Sequence, residues 1–550
     1  MTPVLRAQAQ DRSQGRSMVV TREGIVAAES PLAAQAGATI LARGGNAIDA
    51  AVATNAVMGV VEPMMKGIGG DLFAIVYEAK TGKLYGLNAS GWAPAKLSIE
   101  FLKAKGITGE IPERGIHSVT VPGTVDGWSR LLSRFGTMNF AELLVPAIHY
   151  ARAGFPVPEW DALYWSDAEN GLKENRNTAA TFLMDGKAPR LGEVFRNPDL
   201  GNSLELIAAG GSNAFYKGEI AKRILSTSSK LGGTMTAEDL ADYAGEWAEP
   251  ISTTYRGWTV YEIPPNGQGI AALMMLNIME TFPLGQFGHN SADALHAMIE
   301  AKKLAYADMH HFVADQKFSK VPVEGMLAKD YAAQRAKRID MAKANCSVSP
   351  GDPAFSTTGD TTYLTVVDRD GNMVSLIQSN YAEFGSGIVA DGTGFVLQDR
   401  GALFSLDPAS PNALAGHKRP LHTIIPGFMA RGDERIAFGI MGGFNQSQAH
   451  AQFVSNVVDF GMNIQAALEA ARFTKRTFAG CDVEMEDRIA ADVRKTLSAR
   501  GHQIKVNGNF SSSMGGGQAV RRDFSTGVNF GGSDPRKDGA AIPQEPTTPK

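Results

Sequence analysis

The stretch GDTTYLTVVDRDGNMVSLIQSNYAEFGSGIV, residues 359–389, decides how the rest of the chain is read. TYLTVVD and NMVSLIQ are runs of β-branched and apolar residues joined by a short Asp/Gly loop, which predicts a β-hairpin. Closing the turn between Asp368 and Asn372 puts Thr361 opposite Ser379 at the open end, and a bulge at Gly371 would shift this by one residue. Two hydroxyls then meet where a small, polar loop (342–360) enters a buried sheet. A lone threonine at such a junction is ordinarily a strand former and nothing more. The sharper reading makes Thr361 a new chain terminus. Its Oγ attacks the carbonyl of Asp360, the resulting ester hydrolyses, and the exposed α-amine serves as base. An α-amine has a pKa of about 7.7–8, suited to neutral proton transfer where a lysine amine would stay protonated. This is the threonine/terminal-amine form of a nucleophile–base pair.

Working outward, order is expected to begin near Met18, after a polar and disordered tail at 1–17. Ser30-Pro31 predicts a helix start with proline in the first turn. An Ala-rich segment broken at Gly44-Gly45 reads as two buried helices, the second ended by Pro63. LFAIVYE (72–78) and LYGLNAS (84–90) predict a second hairpin, 138–230 alternates helices with polar loops, and YRGWTVYEIPP (255–265) reads as one strand entering a Pro-Gly loop. The pattern is then mainly helical to about Lys343. Residues 538–550 are Pro-rich and expected to be loose. No repeat of ~20–50 residues is present.

Composition narrows the function classes. The chain is 44% hydrophobic and 20% charged with a formal charge of −4, the balance of a soluble globular protein with no basic face for nucleic acid. No apolar run reaches the ~18 residues of a spanning helix. Cys346 and Cys481 are the only cysteines. They allow one disulfide and exclude a cysteine zinc site. The N-terminus lacks the apolar core of a signal peptide, yet Ala7-Gln8-Ala9 looks like a signal-peptidase site. A trimmed leader implies a periplasmic or secreted protein, and the alternative is a cytoplasmic one.

The motifs together resemble the γ-glutamyltransferase family of N-terminal-nucleophile hydrolases. Those residues are the Thr-Thr pair 361–362, Val-Val-Asp 366–368, Gly-Asn 371–372 and FGSGIV 384–389. GGNAIDAAVA (44–53), EPMMKGIGGD (62–71), VPGTVDGW (121–128), PPNGQGIAALMMLN (264–277), HKRPLHTIIP (417–426), MGG (441–443) and SDPRKDGAA (533–541) extend it over nearly the whole chain. The resemblance implies an α+β fold, a four-layer αββα sandwich, made as a precursor that splits after Asp360. The large subunit would be 18–360 with its tail, the small one 361–550, both interleaved in one core. It implies Thr361 as nucleophile, Ser379 as its hydrogen-bonding partner, and Gly442 and Gly443 as the oxyanion-binding amides, where glycine allows close approach. Taken alone, the glycine pair fits a tight turn equally well. No cofactor or metal is implied. The substrate would be a small-molecule amide of γ-glutamyl, glutathione-like type.

The acyl pocket departs from the family pattern. Ser90 stands where the family has a carboxylate-binding arginine, and Tyr381 replaces an asparagine. His422 and Thr423 replace paired serines, and Arg400 and Leu403 stand on the side that normally receives the α-amine. Arg400 would attract a carboxylate and repel an ammonium. These changes predict weak γ-glutamyl activity and better activity on ω-carboxyacyl amides, as in the family's cephalosporin-acylase and oxamate-amidohydrolase branches. An alternative of another class is an unprocessed binding protein. Nucleotide binding is not indicated, since neither GIGGD nor FGSGIV completes a phosphate loop. No GxSxG occurs, DRDGN lacks the remaining calcium ligands, and His310-His311 on a helix would point apart.

Overall fold

The computed structural model describes residues 13–349 and 360–546, with the side chains of Asp360, Thr361 and Thr362 outside that description. Two seven-stranded sheets form its centre. One runs in the order 540–543, 25–28, 360–367, 373–381, 71–78, 83–89, 246–248; the other runs 19–21, 528–533, 517–523, 434–440, 427–431, 258–262, 251–255. Every neighbouring pair in both is antiparallel.

Alternation along the strands sends one face of each sheet toward the other. Ile75, Tyr363, Ile377, Phe428, Ala437 and Val520 meet there in one buried cluster. The opposite faces are covered by helices. Pro31–Ala42 and Ala47–Val61 cover the first sheet, and Gly269–Met279, Ala292–Phe312 and Gln446–Val458 cover the second. The architecture is the four-layer αββα sandwich expected from the resemblance.

The central hairpin has a rigid turn. Asp368 accepts the Asn372 amide at 2.9 Å, and Gly371 adopts φ +88°, where a side chain would be strained. The same carboxylate accepts the Ala47 N–H at 3.0 Å, so the turn also helps cap the second helix, which Asn46 closes with a capping box. Pro31 opens the first helix as expected, although the Ser30 side chain makes no capping bond.

Several expectations need correction. The hairpin register holds from Val367↔Met373 to Thr362↔Gln378, then shifts, with Asp360 opposite Tyr381. The irregularity therefore falls at Thr361 and not at Gly371, and Ser379 pairs with Asp71 on the other side. The strand expected within 255–265 is Trp258–Glu262, and Ile251–Tyr255, which was not expected, pairs with it in a hairpin around Arg256-Gly257. The tail from 538 is not loose throughout. Ala540–Pro543 adds an edge strand beside 25–28, because the sheet offers it an unpaired edge. Of the N-terminal tail, Gly15 and Arg16 donate their amides to Glu469 at 2.6 and 2.8 Å, while residues 1–12 lie outside the described residues. Cys346 and Cys481 form a disulfide. No helix among the described residues is long and apolar enough to cross a membrane.

Candidate active site

The ends of strands 71–78 and 373–381, the short helix Arg400–Leu403 and segment 421–423 converge on one buried carboxylate, Asp71. Its Oδ1 accepts the Gly91 amide and the Gln398 Nε2, each at 2.7 Å. Its Oδ2 accepts His422 Nε2 at 2.7 Å and lies 3.9 Å from Arg400 Nε. Burial, reinforced by Arg400, draws His422 down to about 4, so the imidazole is neutral. It carries its proton on Nε2, toward Asp71, and its Nδ1 accepts the Ile424 amide at 3.4 Å.

Arg400 is completely buried. Nη1 donates to Thr423 Oγ1 at 2.6 Å, and the guanidinium lies 4.5 Å from the centre of the Tyr381 ring. Its Nε and Nη2 have no hydrogen-bond partner among the described residues. Tyr381 reaches this position with φ +84°, uncommon for a side chain of its size, which costs about 1–3 kcal/mol and is held by its surroundings. Its amide donates to Ser379 Oγ at 2.8 Å. The next residue, Ala382, donates its amide at 3.0 Å to Asp399 Oδ1, while Asp399 Oδ2 has no partner among the described residues. Burial pushes the Asp399 carboxyl up to about 8.

Ser90 does not face this group as an open hydroxyl. It donates to Asn88 Oδ1 at 2.6 Å and accepts weakly from Asn266 at 3.4 Å. Arg419 approaches the Ser90 carbonyl but is committed to Glu246 and the Ala244 carbonyl, so it does not replace a carboxylate-binding arginine.

Gly442 and Gly443 adopt φ +126° and +57° and lead directly into the helix Gln446–Val458. An amide pair ahead of a helix N-terminus is suited to developing negative charge. Gln268 ties this loop to the acyl side. Its Nε2 donates to the Thr423 carbonyl at 2.5 Å and to the Gly443 carbonyl at 2.8 Å.

The fold thus brings Ser379, Tyr381, Arg400, His422 and Thr423 around Asp71 and links them to Gly442-Gly443 through Gln268. The predicted cleavage point, Asp360-Thr361, begins the strand beside Ser379–Tyr381, and its side chains lie outside the described residues. Sequence reasoning missed Asp71, Gln268, Gln398 and Asp399. Asp71 and Gln268 stood inside the quoted motifs GIGGD and PPNGQG, and burial was the signal that sequence lacked. His310 and His311 point apart, onto Phe478 and Phe312 respectively.

Comparison with known proteins gives a consistent picture. A family model described as gamma-glutamyltranspeptidase matches residues 33–544. A glutathione hydrolase-like YwrD proenzyme of Bacillus subtilis (strain 168) is 38% identical, over 96% of this chain and 99% of its own. A glutathione hydrolase proenzyme of Escherichia coli (strain K12) is 35% identical, over 94% and 91%. The crystal structure of cephalosporin acylase from Bacillus halodurans superposes with a TM-score of 0.92 at 44% identity, over 99% and 100%.

Proposed function

The chain belongs to the gamma-glutamyltranspeptidase family, and we propose that it is a self-processing threonine amide hydrolase whose acyl donor ends in a carboxylate taken by Arg400. Thr361 Oγ attacks the Asp360 carbonyl, the C–N bond breaks as the nitrogen takes a proton, and water hydrolyses the ester. The products are a large piece ending at Asp360 and a small one beginning at Thr361. In turnover the same Oγ attacks the substrate amide, the Thr361 amine moves the proton, and Gly442 and Gly443 hold the oxyanion. Ser379 supports the nucleophile. Water, or an acceptor amine, releases the acyl group.

One observation carries the substrate reading: a fully buried guanidinium with two nitrogens lacking partners among the described residues. A buried donor without an acceptor costs free energy that an arriving carboxylate would recover. Asp71 and Thr423 fix the cation and Tyr381 supplies its stacking surface, so the carboxylate meets an oriented group. A glutaryl-type acyl group satisfies this arrangement. A second reading, γ-glutamyl, is favoured by Asp399, whose Oδ2 could receive an α-ammonium. The disulfide supports a periplasmic or secreted placement.

Purified wild-type protein should show two associated pieces on a denaturing gel, the smaller beginning Thr-Thr-Tyr-Leu. Thr361→Ala should give one band and no turnover of glutaryl or γ-glutamyl anilides, because one hydroxyl serves both steps. Ser379→Ala should slow both by about 10-fold to 10²-fold, the loss of one supporting hydrogen bond. A wild-type chain that stays whole and inactive would favour the binding-protein alternative.

A further inference from the structure

Gln268 is completely buried, yet nothing in its own element asks for an amide there. It stands at the start of the helix Gly269–Met279, but its side chain does not cap that helix. Its backbone is held independently, the N–H donating to the His422 carbonyl at 2.9 Å and the carbonyl accepting from Ser447 Oγ at 2.8 Å. A buried amide is costly unless its polar atoms are met, and an apolar side chain of similar size would fill the space without that cost. What the amide does is join two loops. The two hydrogens of Nε2 go to the carbonyls of Thr423 and Gly443, at 2.5 and 2.8 Å. An amide NH2 is planar, so this one group sets both the distance and the direction between the two carbonyls.

We propose that Gln268 is a positioning residue that couples recognition of the acyl carboxylate to the geometry of the oxyanion loop, so that a carboxylate on the substrate raises kcat as well as lowering KM. The coupling rests on the hydrolase reading and adds to it a link between its two halves. On one side, Thr423 accepts Arg400 Nη1 on its hydroxyl and Gln268 on its carbonyl, so the proposed carboxylate-binding cation and Gln268 share one residue. On the other side lie two glycines with φ +126° and +57°. Glycine has little backbone preference of its own, so such a pair needs outside bonds to hold one conformation. Asn445 supplies one, its N–H donating to the Gly442 carbonyl at 2.9 Å. Gln268 supplies another, from a different element. Arg400, Thr423, Gln268 and Gly443 are all buried, so water does not compete for these bonds and a shift at one end is passed to the other.

Before substrate arrives, two Arg400 nitrogens lack partners among the described residues. A carboxylate that meets them sets the guanidinium and, through Thr423 and Gln268, the Gly443 carbonyl. Part of the binding energy then holds the oxyanion amides where charge develops, and that part appears in kcat and not in KM. Small errors in the placement of such donors matter, since one oxyanion donor is worth about 10²–10³ in kcat. A Gln268 that served packing alone would affect substrates with and without the carboxylate alike.

The test uses the processed enzyme with glutaryl and pentanoyl 4-nitroanilides, which differ only in carrying a carboxylate or a methyl at the far end of the acyl chain. In wild type the glutaryl compound should have the lower KM and a kcat about tenfold higher. Gln268→Met keeps the length of the side chain and removes both donors. It should retain most of the glutaryl advantage in KM, because Arg400 is intact, and lose the advantage in kcat. Thr423→Val breaks the same chain at its Arg400 end and should lose the same kcat advantage, so it gives the answer if Gln268→Met yields no processed enzyme. A lower glutaryl KM with equal wild-type kcat values, or a kcat advantage that survives in either variant, overturns the coupling and leaves the hydrolase reading standing. The same holds if Gln268→Met lowers kcat for both anilides by one factor. A wild type that does not distinguish the two anilides defeats the carboxylate reading along with the coupling, and turnover of neither defeats the hydrolase reading as well.

Discussion

Among the described residues the fully buried arginines are Arg400, Arg472 and Arg536, and their charges are met differently. Arg472 and Arg536 lie with Asp534 and Glu486 beneath segment 514–516. Arg536 donates from Nε and both Nη atoms to Glu486, Asp534 and the Leu468 and Ala470 carbonyls. Arg472 donates from both Nη atoms to Asp534 and the Leu468, Met514 and Gly515 carbonyls. Arg400 is equally buried, yet among the described residues one Nη1–hydroxyl bond and a carboxylate at 3.9 Å are its polar contacts. Buried charge is tolerated when its hydrogen bonds are complete. The saturated group is therefore structural, while the incomplete one is the cation we propose takes the substrate's carboxylate.

The largest effect should separate the two groups by stability. Arg536→Ala leaves Glu486 and Asp534 with fewer partners in the core and should cost about 3–5 kcal/mol in urea unfolding. Arg400→Ala should cost distinctly less, because Asp71 keeps His422, Gln398 and the Gly91 amide. Equal losses would erase the contrast and return Arg400 to a structural role.

The next effect is in turnover. Arg400→Ala should reduce kcat/KM for a glutaryl anilide by about 10²-fold, the loss of a charge-assisted contact of about 1.5–3 kcal/mol. Self-cleavage of the precursor should proceed, since no carboxylate-bearing substrate takes part in it. A processed Arg400→Ala enzyme with full glutaryl activity would mean that the carboxylate is held elsewhere.

The contrast also explains what the sequence disclosed. The fold was largely legible, because alternation in 361–381, the helix breaks at Gly44-Gly45 and the glycine pair at 442–443 are local signals. The segments around Ser379, His422 and Gly442 were placed together through the family resemblance, and the structure brings them to one site. What stayed hidden depends on long-range packing. Asp71 becomes a hub only when strand 71–78 lies beside 373–381. Arg400 was expected to attract a substrate carboxylate, and the carboxylate beside it, Asp71, comes from that same remote strand. Ser90 was expected in the acyl pocket, but Asn88 and Asn266 occupy its hydroxyl. The edge strand Ala540–Pro543 was misread because proline-rich composition speaks of local stiffness and is silent about an available sheet edge.

The smallest effect concerns Asp399, the neighbour that shares Arg400's incompleteness. Burial raises its carboxyl to about 8, so at pH 6 it is protonated and attracts no ammonium. As the pH approaches 8 it ionises, and an arriving α-ammonium would favour that form. If Asp399 receives the amine, the ratio of γ-glutamyl to glutaryl kcat/KM should rise between pH 6 and 8, by up to about tenfold, the value of one charged contact. Asp399→Asn should flatten the ratio at its low-pH value while leaving glutaryl turnover nearly unchanged. The same proton has a stability consequence of fixed sign. The native state holds it up to about 8 whereas the unfolded chain releases it near the ordinary aspartate value, so Asp399 stabilises least at high pH. The urea midpoint of Asp399→Asn should therefore gain on wild type as the pH rises from 5 to 8. A gain in stability with a flat wild-type selectivity ratio would show that Asp399 titrates as its burial dictates but holds no amine. That outcome leaves Arg400 as the one incomplete charge that selects substrate, and the acyl group as glutaryl-like.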